Sequence, residues 1–381
     1  MSSVEATPTA VRKTALNAIH RKMGAKMVDF NGWDMPVEYP SAGGIIAEHN
    51  AVRGAVGIFD VSHMGDIRLS GPDALSAVQH ISMNDASRLA MGQAQYSAML
   101  YPRGTFVDDV VVHRLGDAEY LLVINAGTRE KDFNWVRDNT ANFDCEVEDL
   151  SDEFTQIAIQ GPKAADLLQK LTDADLSAVK FYWFTQGTVC GLRDILIART
   201  GYTGEDGFEI YISSDVNTSA RVWDEIFEAG KEFGVLPCGL GARNTLRLEA
   251  KLPLYGHEIS ATTNVWEAGL DRFCKVEKPS FIGKSALMKA KDGELKRTLV
   301  GMEMIERGIA RDDYRVFDVG GKEIGYVTSG SYAPFLKKNI ALAYVPPEYA
   351  EAGSKLSVEI RNQRVGSVIV PTPFYKRPKK N

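Results

Sequence analysis

The 381-residue sequence has little of the cysteine and histidine patterning that marks metal and redox proteins. Its four cysteines lie far apart without a C-x-x-C pair, and its six histidines form no pair at i and i+4. These absences argue against zinc and iron–sulfur sites, so we expect no metal. Scattered thiols are instead typical of unpaired cysteines in a reducing compartment. The cysteines are Cys145, Cys190, Cys238 and Cys274.

The sequence also lacks an excess of positive charge and a long apolar run. Its 44 Lys and Arg against 50 Asp and Glu give a net charge of −6, which argues against a general nucleic-acid binder. No apolar run approaches the length of a membrane span, and the first residues contain no signal-peptide hydrophobic segment. We therefore expect a cytoplasmic protein that binds neither nucleic acid nor membrane.

Common phosphate-binding and hydrolase motifs are missing as well. The chain has no Walker loop, no G-x-S-x-G elbow and no G-x-G-x-x-G after a strand. These absences argue against phosphate-loop chemistry, serine hydrolysis and a Rossmann fold.

What is present is a chain long enough for two or three domains. Short strands interleaved with helices before residue 290 predict an α+β fold, and residues 28–37 read as a turn-rich aromatic segment. Six short strands after residue 290 predict a small barrel or sandwich, with a boundary in the charged segment 289–296. We expect residues 1–12 to be a flexible leader and residues 376–381 to be a loose basic tail.

The most informative segment is RTGYTGEDGFEI, residues 199–210. Apolar runs flank it, and its Asp206-Gly207 pair favours a tight hairpin turn. Tyr202 and Glu209 flank that turn and can face one pocket, where a buried carboxylate beside an aromatic ring suits a flat heterocycle that donates hydrogen bonds. The alternative is an ordinary hairpin with a solvated acidic tip, and the segment alone leaves both open.

Asp108 and Asp109 lie inside an otherwise apolar run, residues 106–112. Carboxylates there are costly unless they are satisfied or functional. Because side chains alternate along a strand, one can line a cavity, where burial raises its pKa and suits it to proton transfer. Tyr96 approaches Asp109 if their strands pair. A turn-capping aspartate and a tyrosine that only packs in the core remain the alternatives.

Two basic side chains and one histidine complete the candidates. Arg243 and Arg247 lie four residues apart in a helix predicted over residues 240–252 and share a face. Glycines before this helix let an anion approach its N-terminus, where Arg243 can clamp it. A surface ion pair is the alternative. We interpret His63, in the segment VSHMG, as a hydrogen-bonded structural histidine rather than a catalytic one.

Eight segments in order resemble the aminomethyltransferase family, the T-protein of the glycine cleavage system, from about Lys13 to Tyr375. They are FNGWDMP (30–36), GIFDVSHMG (57–65), YS (96–97) with VDD (107–109), NA (125–126) with REKD (129–132), RTGYTGEDGFE (199–209), GLGAR (239–243), FIGK (281–284), and TSG (328–330) with LKKN (336–339). The sequence departs from the family pattern at Asp271-Arg-Phe273, where a Gly-Trp pair is more usual.

The resemblance implies a three-domain cloverleaf around a central folate-binding cavity. Two interleaved α+β domains would occupy residues 13–290, and a C-terminal β-barrel would occupy residues 291–375. The implied reaction transfers the methylene carbon from the aminomethyl-lipoyl arm of the carrier H-protein to tetrahydrofolate. Ammonia leaves, and 5,10-methylenetetrahydrofolate forms. Tetrahydrofolate is then the co-substrate, lipoylated H-protein the partner, and no metal is required.

The resemblance also implies roles for individual residues. Asp109 would be the acid or base beside the reacting folate nitrogens. Glu209 would bind the amino and ring N–H groups of the pterin, and Tyr202 would pack on or near the ring. Arg243 would approach the folate or its glutamate tail. The further folate-binding candidates are Tyr96, Asp108, Asn125 and Tyr375.

Two other functions remain open at this point. Relatives of the same fold include folate-dependent demethylases, which differ in the one-carbon donor. Others are non-enzymatic folate-binding factors of iron–sulfur assembly, which carry a cysteine-containing signature. The corresponding stretch here, Lys278–Lys284, contains no cysteine.

Overall fold

The computed structural model of the chain describes residues 11–378. Its strands form an N-terminal hairpin, two open sheets and a closed barrel. In chain order the strands are β1 (Lys26–Phe30), β2 (Trp33–Glu38), β3 (Val56–Asp60), β4 (Gly65–Ser70), β5 (Ala94–Leu100), β6 (Phe106–Gly116), β7 (Glu119–Ile124), β8 (Glu146–Asp149), β9 (Phe154–Gln160), β10 (Phe184–Val189), β11 (Leu192–Ala198), β12 (Gly207–Ser213), β13 (Val235–Pro237), β14 (Thr298–Met304), β15 (Arg315–Phe317), β16 (Glu323–Ala333), β17 (Lys338–Val345), β18 (Lys355–Ile360) and β19 (Gln363–Val370).

Helices cover one face of each open sheet. In the longest of them, Val222, Trp223 and Ile226 are buried on a single stripe because Ile226 lies about one turn after the adjacent Val222 and Trp223. Within residues 11–378, no helix has the length and hydrophobicity needed to cross a membrane. The helices are α1 (Asn17–Lys22), α2 (Gly44–Gly54), α3 (Ala74–Ile81), α4 (Arg129–Thr140), α5 (Ala164–Gln169), α6 (Val216–Gly230), α7 (Leu240–Glu249) and α8 (Lys284–Asp292).

The two open sheets are interleaved along the chain. The first sheet has the order β5-β6-β7-β4-β8, and the second has the order β10-β11-β12-β9-β3-β13. Strand β3 precedes all strands of the first sheet, whereas its neighbour β9 follows them. This confirms the interleaved α+β arrangement. Helices α3 and α4 pack on the first sheet, and α5 and α6 pack on the second.

The C-terminal strands close into a barrel in the order β14-β17-β16-β15-β18-β19. Its core consists of apolar side chains such as Met302, Val316, Val327 and Ala343. Their neighbours along each strand face outward, as expected for a small barrel. The sequence had left a barrel and a sandwich as alternatives, and the barrel is correct.

Two local expectations were wrong. The segment 28–37 is mostly extended, because β1 and β2 pair as an antiparallel hairpin. The predicted tight turn is an eight-residue loop, since β11 ends at Ala198 and β12 begins at Gly207. The Arg199 guanidinium closes this loop by donating to Asp206, with Nε–Oδ1 at 2.9 Å and Nη2–Oδ2 at 2.6 Å. A side-chain ion pair therefore replaces the expected Asp-Gly turn.

Both predicted mobile ends lie partly outside the described residues. Of the leader, Arg12 is described, and its backbone N–H donates to the carbonyl of Gly32. Of the tail, Arg377 is described, with its guanidinium 3.3 Å from Asp206. The remaining leader and tail residues, 1–10 and 379–381, lie outside the described range. The division at residue 290 stays a prediction.

Candidate functional site

A cavity of about 840 Å³ lies between the two open sheets. Strands β5, β6 and β7 supply one wall, and β12 with the loop before it supplies the other. The N-terminal half of α7 and the segment after that helix complete the lining. Six of the eight predicted site residues line this central cavity: Tyr96, Asp109, Asn125, Tyr202, Glu209 and Arg243.

Asp108 and Asp109 point to opposite faces of β6, as the alternation of a strand requires. Asp109 lines the central cavity, whereas Asp108 is fully buried on the other face. Asn125, just after β7, links the two carboxylates. Its Nδ2 donates to Asp108 Oδ1 at 2.7 Å and to Asp109 Oδ1 at 2.8 Å. Thr128 donates to Asp108 Oδ2, and Lys131 Nζ lies 3.5 Å from it.

Asp109 has a strongly perturbed carboxyl group. Burial, and then the negative charge of Asp108, raise its pKa to about 7, while the Asn125 hydrogen bond opposes the rise. A carboxyl group with such a pKa exchanges a proton readily near neutral pH. The arrangement thus suits Asp109 for proton transfer and Asp108 for holding Asn125 and the strand in place.

The raised pKa of Asp109 also predicts a pH-dependent cost in stability. Between about pH 4 and pH 7 the native state binds more protons at this site than the unfolded state, so the free energy of unfolding falls as pH rises. Asp109→Asn cannot ionise at this position. We therefore expect its free energy of unfolding, relative to that of the wild type, to rise by roughly 2 kcal/mol from pH 5 to pH 8. Urea unfolding of both proteins at the two pH values measures this gain. A stability difference that stays constant with pH would contradict the assignment.

Tyr96 lies beside Asp109, as predicted. Strands β5 and β6 pair antiparallel with Ala98 opposite Asp109, which places Tyr96 on the same face and one diagonal step away. The Tyr96 hydroxyl is buried next to the Asp109 carboxylate, which is its hydrogen-bonding neighbour. Burial and the nearby Asp109 carboxylate raise the pKa of Tyr96. Tyr96 therefore acts on the protonation of Asp109 from the cavity wall.

Glu209 and Tyr202 meet in the opposite wall. In the described chain, Glu209 accepts one hydrogen bond, from the hydroxyl of Thr200. Burial raises the pKa of Glu209, and the Thr200 hydrogen bond and the charge of Arg243 oppose the rise. Its carboxylate therefore has acceptor capacity left for a ligand. The Tyr202 hydroxyl donates to the carbonyl of Pro253, so the ring of Tyr202 is the part that faces the cavity.

Arg243 is a cation without an ion pair among the described residues. Its guanidinium lies 4.6 Å from the ring centroid of Tyr202, and Nη2 lies 3.9 Å from Met64 Sδ. The surface ion pair considered as an alternative is therefore wrong. Arg247 does not share the cavity, because its guanidinium pairs with buried Glu258 at 2.7 Å.

Two histidines line the site in ways the sequence did not predict. His63 faces a recess of about 620 Å³ that shares Met64, Asn125 and Arg243 with the central cavity. Its Nδ1 is buried without a hydrogen-bond partner among the described residues, which differs from the hydrogen-bonded histidine that we expected. His113 lines the central cavity, and burial lowers its pKa to about 4. Its position four residues after Asp109 in one strand was the signal for a shared face.

The structure places Tyr375 and Asp108 outside the central cavity. The Tyr375 backbone N–H donates to the carbonyl of Glu249 at 2.8 Å, and its ring lies 3.9 Å from the Arg53 guanidinium. Tyr375 lines a separate groove with Phe335 and Arg377. Within residues 11–378, no group of three His, Cys, Asp or Glu side chains is arranged to hold a metal ion.

Comparison with known proteins agrees with this architecture. The sequence matches the GCVT N-terminal domain over residues 16–278 and the glycine cleavage T-protein C-terminal barrel domain over residues 297–376. It is 71% identical over 371 residues to an aminomethyltransferase of Koribacter versatilis, covering 97% of this chain and 98% of that protein. It is 50% identical over 369 residues to an aminomethyltransferase of Desulfitobacterium hafniense, and the match covers 97% of this chain and 99% of that protein.

A solved structure shows the same fold. The glycine cleavage system aminomethyltransferase T of Bartonella henselae matches with a TM-score of 0.89 and 32% identity, over 96% of this chain and 98% of that one. Fold, cavity and relatives together define an enzyme of the transferase class. The chain belongs to the aminomethyltransferase family of glycine cleavage T-proteins.

Proposed function

We propose that this enzyme transfers a methylene carbon to tetrahydrofolate from the aminomethyl-lipoyl arm of the carrier H-protein. Ammonia is released, and 5,10-methylenetetrahydrofolate is formed. The observation that carries the proposal is that Asp109 and Glu209, from strands of different sheets, line one cavity. The names of the relatives, and the assignment of the Bartonella henselae protein to the glycine cleavage system, support the choice of reaction.

The central cavity fits a reduced pterin. Its lining sets a few polar side chains, those of Asp109, Asn125, Glu209 and Arg243, among apolar and aromatic ones, which is the usual make-up of a small-molecule site. Glu209 supplies a buried acceptor for the adjacent amino and ring N–H groups of a pterin, and such charge-assisted hydrogen bonds are strong. The aromatic walls formed by Tyr96, Tyr182 and Tyr202 suit a flat ring.

The proposed chemistry requires two proton movements. The methylene carbon gains bonds to two folate nitrogens and loses its bonds to sulfur and to the amine. One N–H proton of the folate therefore goes to the departing sulfur, and the other goes to the departing ammonia. Asp109 accepts a proton from a reacting nitrogen, and its charge stabilises positive charge developing there. Holding both reactants in one cavity supplies much of the remaining rate.

The proposal includes a partner, a location and a domain division. The partner is a lipoylated H-protein, whose arm is long enough to place its end group in a buried cavity. We propose a cytoplasmic location. We also propose that residues 13–290 form the folate-binding region and that residues 291–375 form the barrel domain.

Product analysis tests the proposed reaction. With H-protein carrying the aminomethyl-lipoyl group and with tetrahydrofolate, we expect equal amounts of ammonia and 5,10-methylenetetrahydrofolate. Formation of methyl-folate without ammonia, from a methylamine or sulfonium donor, would identify a demethylase instead. Folate binding without any turnover would favour a non-enzymatic role.

A further inference from the structure

Beyond Tyr96 and Tyr182 the central cavity continues into a wider space of about 1,200 Å³, which we call the outer hollow. The two regions share Tyr96, Tyr182, Leu252 and Pro253 in their linings. Further apolar side chains of the outer hollow include Phe273, whose ring lies 4.7 Å from that of Tyr96. A ligand in the central cavity can therefore extend outward between aromatic walls.

Two cations, Lys251 and Arg272, line the outer hollow. Neither side chain makes an ion pair or a hydrogen bond with any described residue, and the Arg272 guanidinium lies 4.4 Å from the ring centroid of Phe273. Burial, and then the positive charge of Arg272, lower the pKa of Lys251. Two like charges held close together without a counter-ion attract an anion.

The other charged groups of the outer hollow already have partners. Glu205 accepts from the Arg53 guanidinium at 3.0 Å, and Arg377 lies 3.3 Å from Asp206. Lys251 and Arg272 are therefore the pair whose charge is available to a ligand.

The backbone at Lys251 is unusual for a lysine. It follows Ala250 at the end of α7 in the left-handed region, with φ +54°, and its N–H donates to the carbonyl of Leu248 at 3.1 Å. Helices that end this way favour glycine at this position, because a Cβ is crowded there. The chain keeps a strained lysine where glycine fits better, and this is a reason to look for a function of its side chain.

We propose that Lys251 and Arg272 bind the carboxylates of an anionic tail on the ligand in the central cavity. Resting on the proposed function, this ligand is tetrahydrofolate, and the tail is its glutamate or oligoglutamate. The aminobenzoyl ring then lies between Tyr96 and the apolar side chains of the outer hollow. Apart from the contact of Arg272 with the Phe273 ring, neither cation is engaged in an ion pair or side-chain hydrogen bond of the described fold, so both charges remain available to the ligand.

Calorimetry with two ligands tests the proposal. Tetrahydropteroate is tetrahydrofolate without its glutamate, and the wild-type enzyme should bind it about tenfold more weakly. The quantity to compare is the Kd of tetrahydropteroate divided by the Kd of tetrahydrofolate. In Lys251→Gly we expect this ratio to fall to about one, because the affinity for tetrahydrofolate falls while the affinity for tetrahydropteroate is unchanged. The variant should fold, because glycine suits the left-handed backbone. Arg272→Gln should lower the ratio as well.

A matched control comes from the barrel. Lys337 is also a lysine with φ +54°, in the turn between β16 and β17, and it does not line the outer hollow. Lys337→Gly should keep the wild-type ratio. Equal affinities of the wild type for both ligands would overturn the assignment, and so would an equal loss of both in Lys251→Gly. A wild type that binds neither ligand would overturn the proposed function itself.

Discussion

Replacing Asp109 by Asn is expected to lower kcat by about 10³-fold, the scale typical of losing a general acid or base. The amide keeps the size of the side chain and its hydrogen bond with Asn125, but it cannot take up a proton. If the carboxylate acts mainly in the transition state, tetrahydrofolate affinity should change by less than about threefold. Single-turnover kinetics with the aminomethylated carrier and equilibrium folate binding measure the two quantities separately.

A matched control for this experiment is Asp138→Asn. Asp138 is an exposed carboxylate in the last turns of α4 that does not line the central cavity, and it pairs with Arg137. The Asp138→Asn enzyme should have the same kcat as the wild type. Normal turnover in Asp109→Asn would show that the carboxylate takes no part in the chemistry, and the proton movements proposed above would need another residue.

Replacing Glu209 by Ala is expected to weaken tetrahydrofolate binding strongly and to lower kcat only a little, the reverse of the effect of Asp109→Asn. The variant loses a buried acceptor for two pterin donors, and tetrahydrofolate should bind about 100-fold more weakly, equivalent to about 3 kcal/mol. At saturating folate, kcat should fall much less than in Asp109→Asn. Fluorescence or calorimetric titration gives the affinity, and steady-state assays give kcat.

Glu209→Gln separates charge from shape. Its amide offers one acceptor and one donor where the carboxylate offers two acceptors, so its affinity should lie between those of the wild type and Glu209→Ala. Glu228→Gln, an exposed carboxylate on α6, serves as the control. Unchanged folate affinity in Glu209→Ala would remove Glu209 from the pterin site.

The sequence predicted those parts of the site that depend on local periodicity. Alternation along a strand correctly predicted that one of Asp108 and Asp109 lines a cavity, because tertiary contacts did not alter this local rule. The rule did not say which one, and Asp108, also a folate-binding candidate, faces away. The same alternation accounts for Tyr96, once β5 and β6 pair. The resemblance supplied the interleaved order of the sheets, which no local pattern could reveal.

The features that were mispredicted depend on contacts between distant residues. The Arg199–Asp206 ion pair, rather than the Asp-Gly signal, determines the loop before β12. Arg247 turns away from Arg243 because Glu258 and Ser329 of the barrel bind it. The folate-binding role of Tyr375 stays a prediction, but its packing on Arg53, a residue more than 300 positions earlier, was not foreseen. Propensity and spacing carry no information about such partners.

The interleaving of the sheets has a consequence for biosynthesis. When β3 has just been synthesised, its neighbour β9 is still about a hundred residues from being translated. All strands of the first sheet are synthesised between β3 and β9, so the second sheet can be completed only after them. Such long-range pairing is slow to form. The lining of the central cavity is complete only after α7 and the segment following it have been synthesised. A nascent or truncated chain ending earlier therefore presents unpaired strand edges to chaperones and proteases.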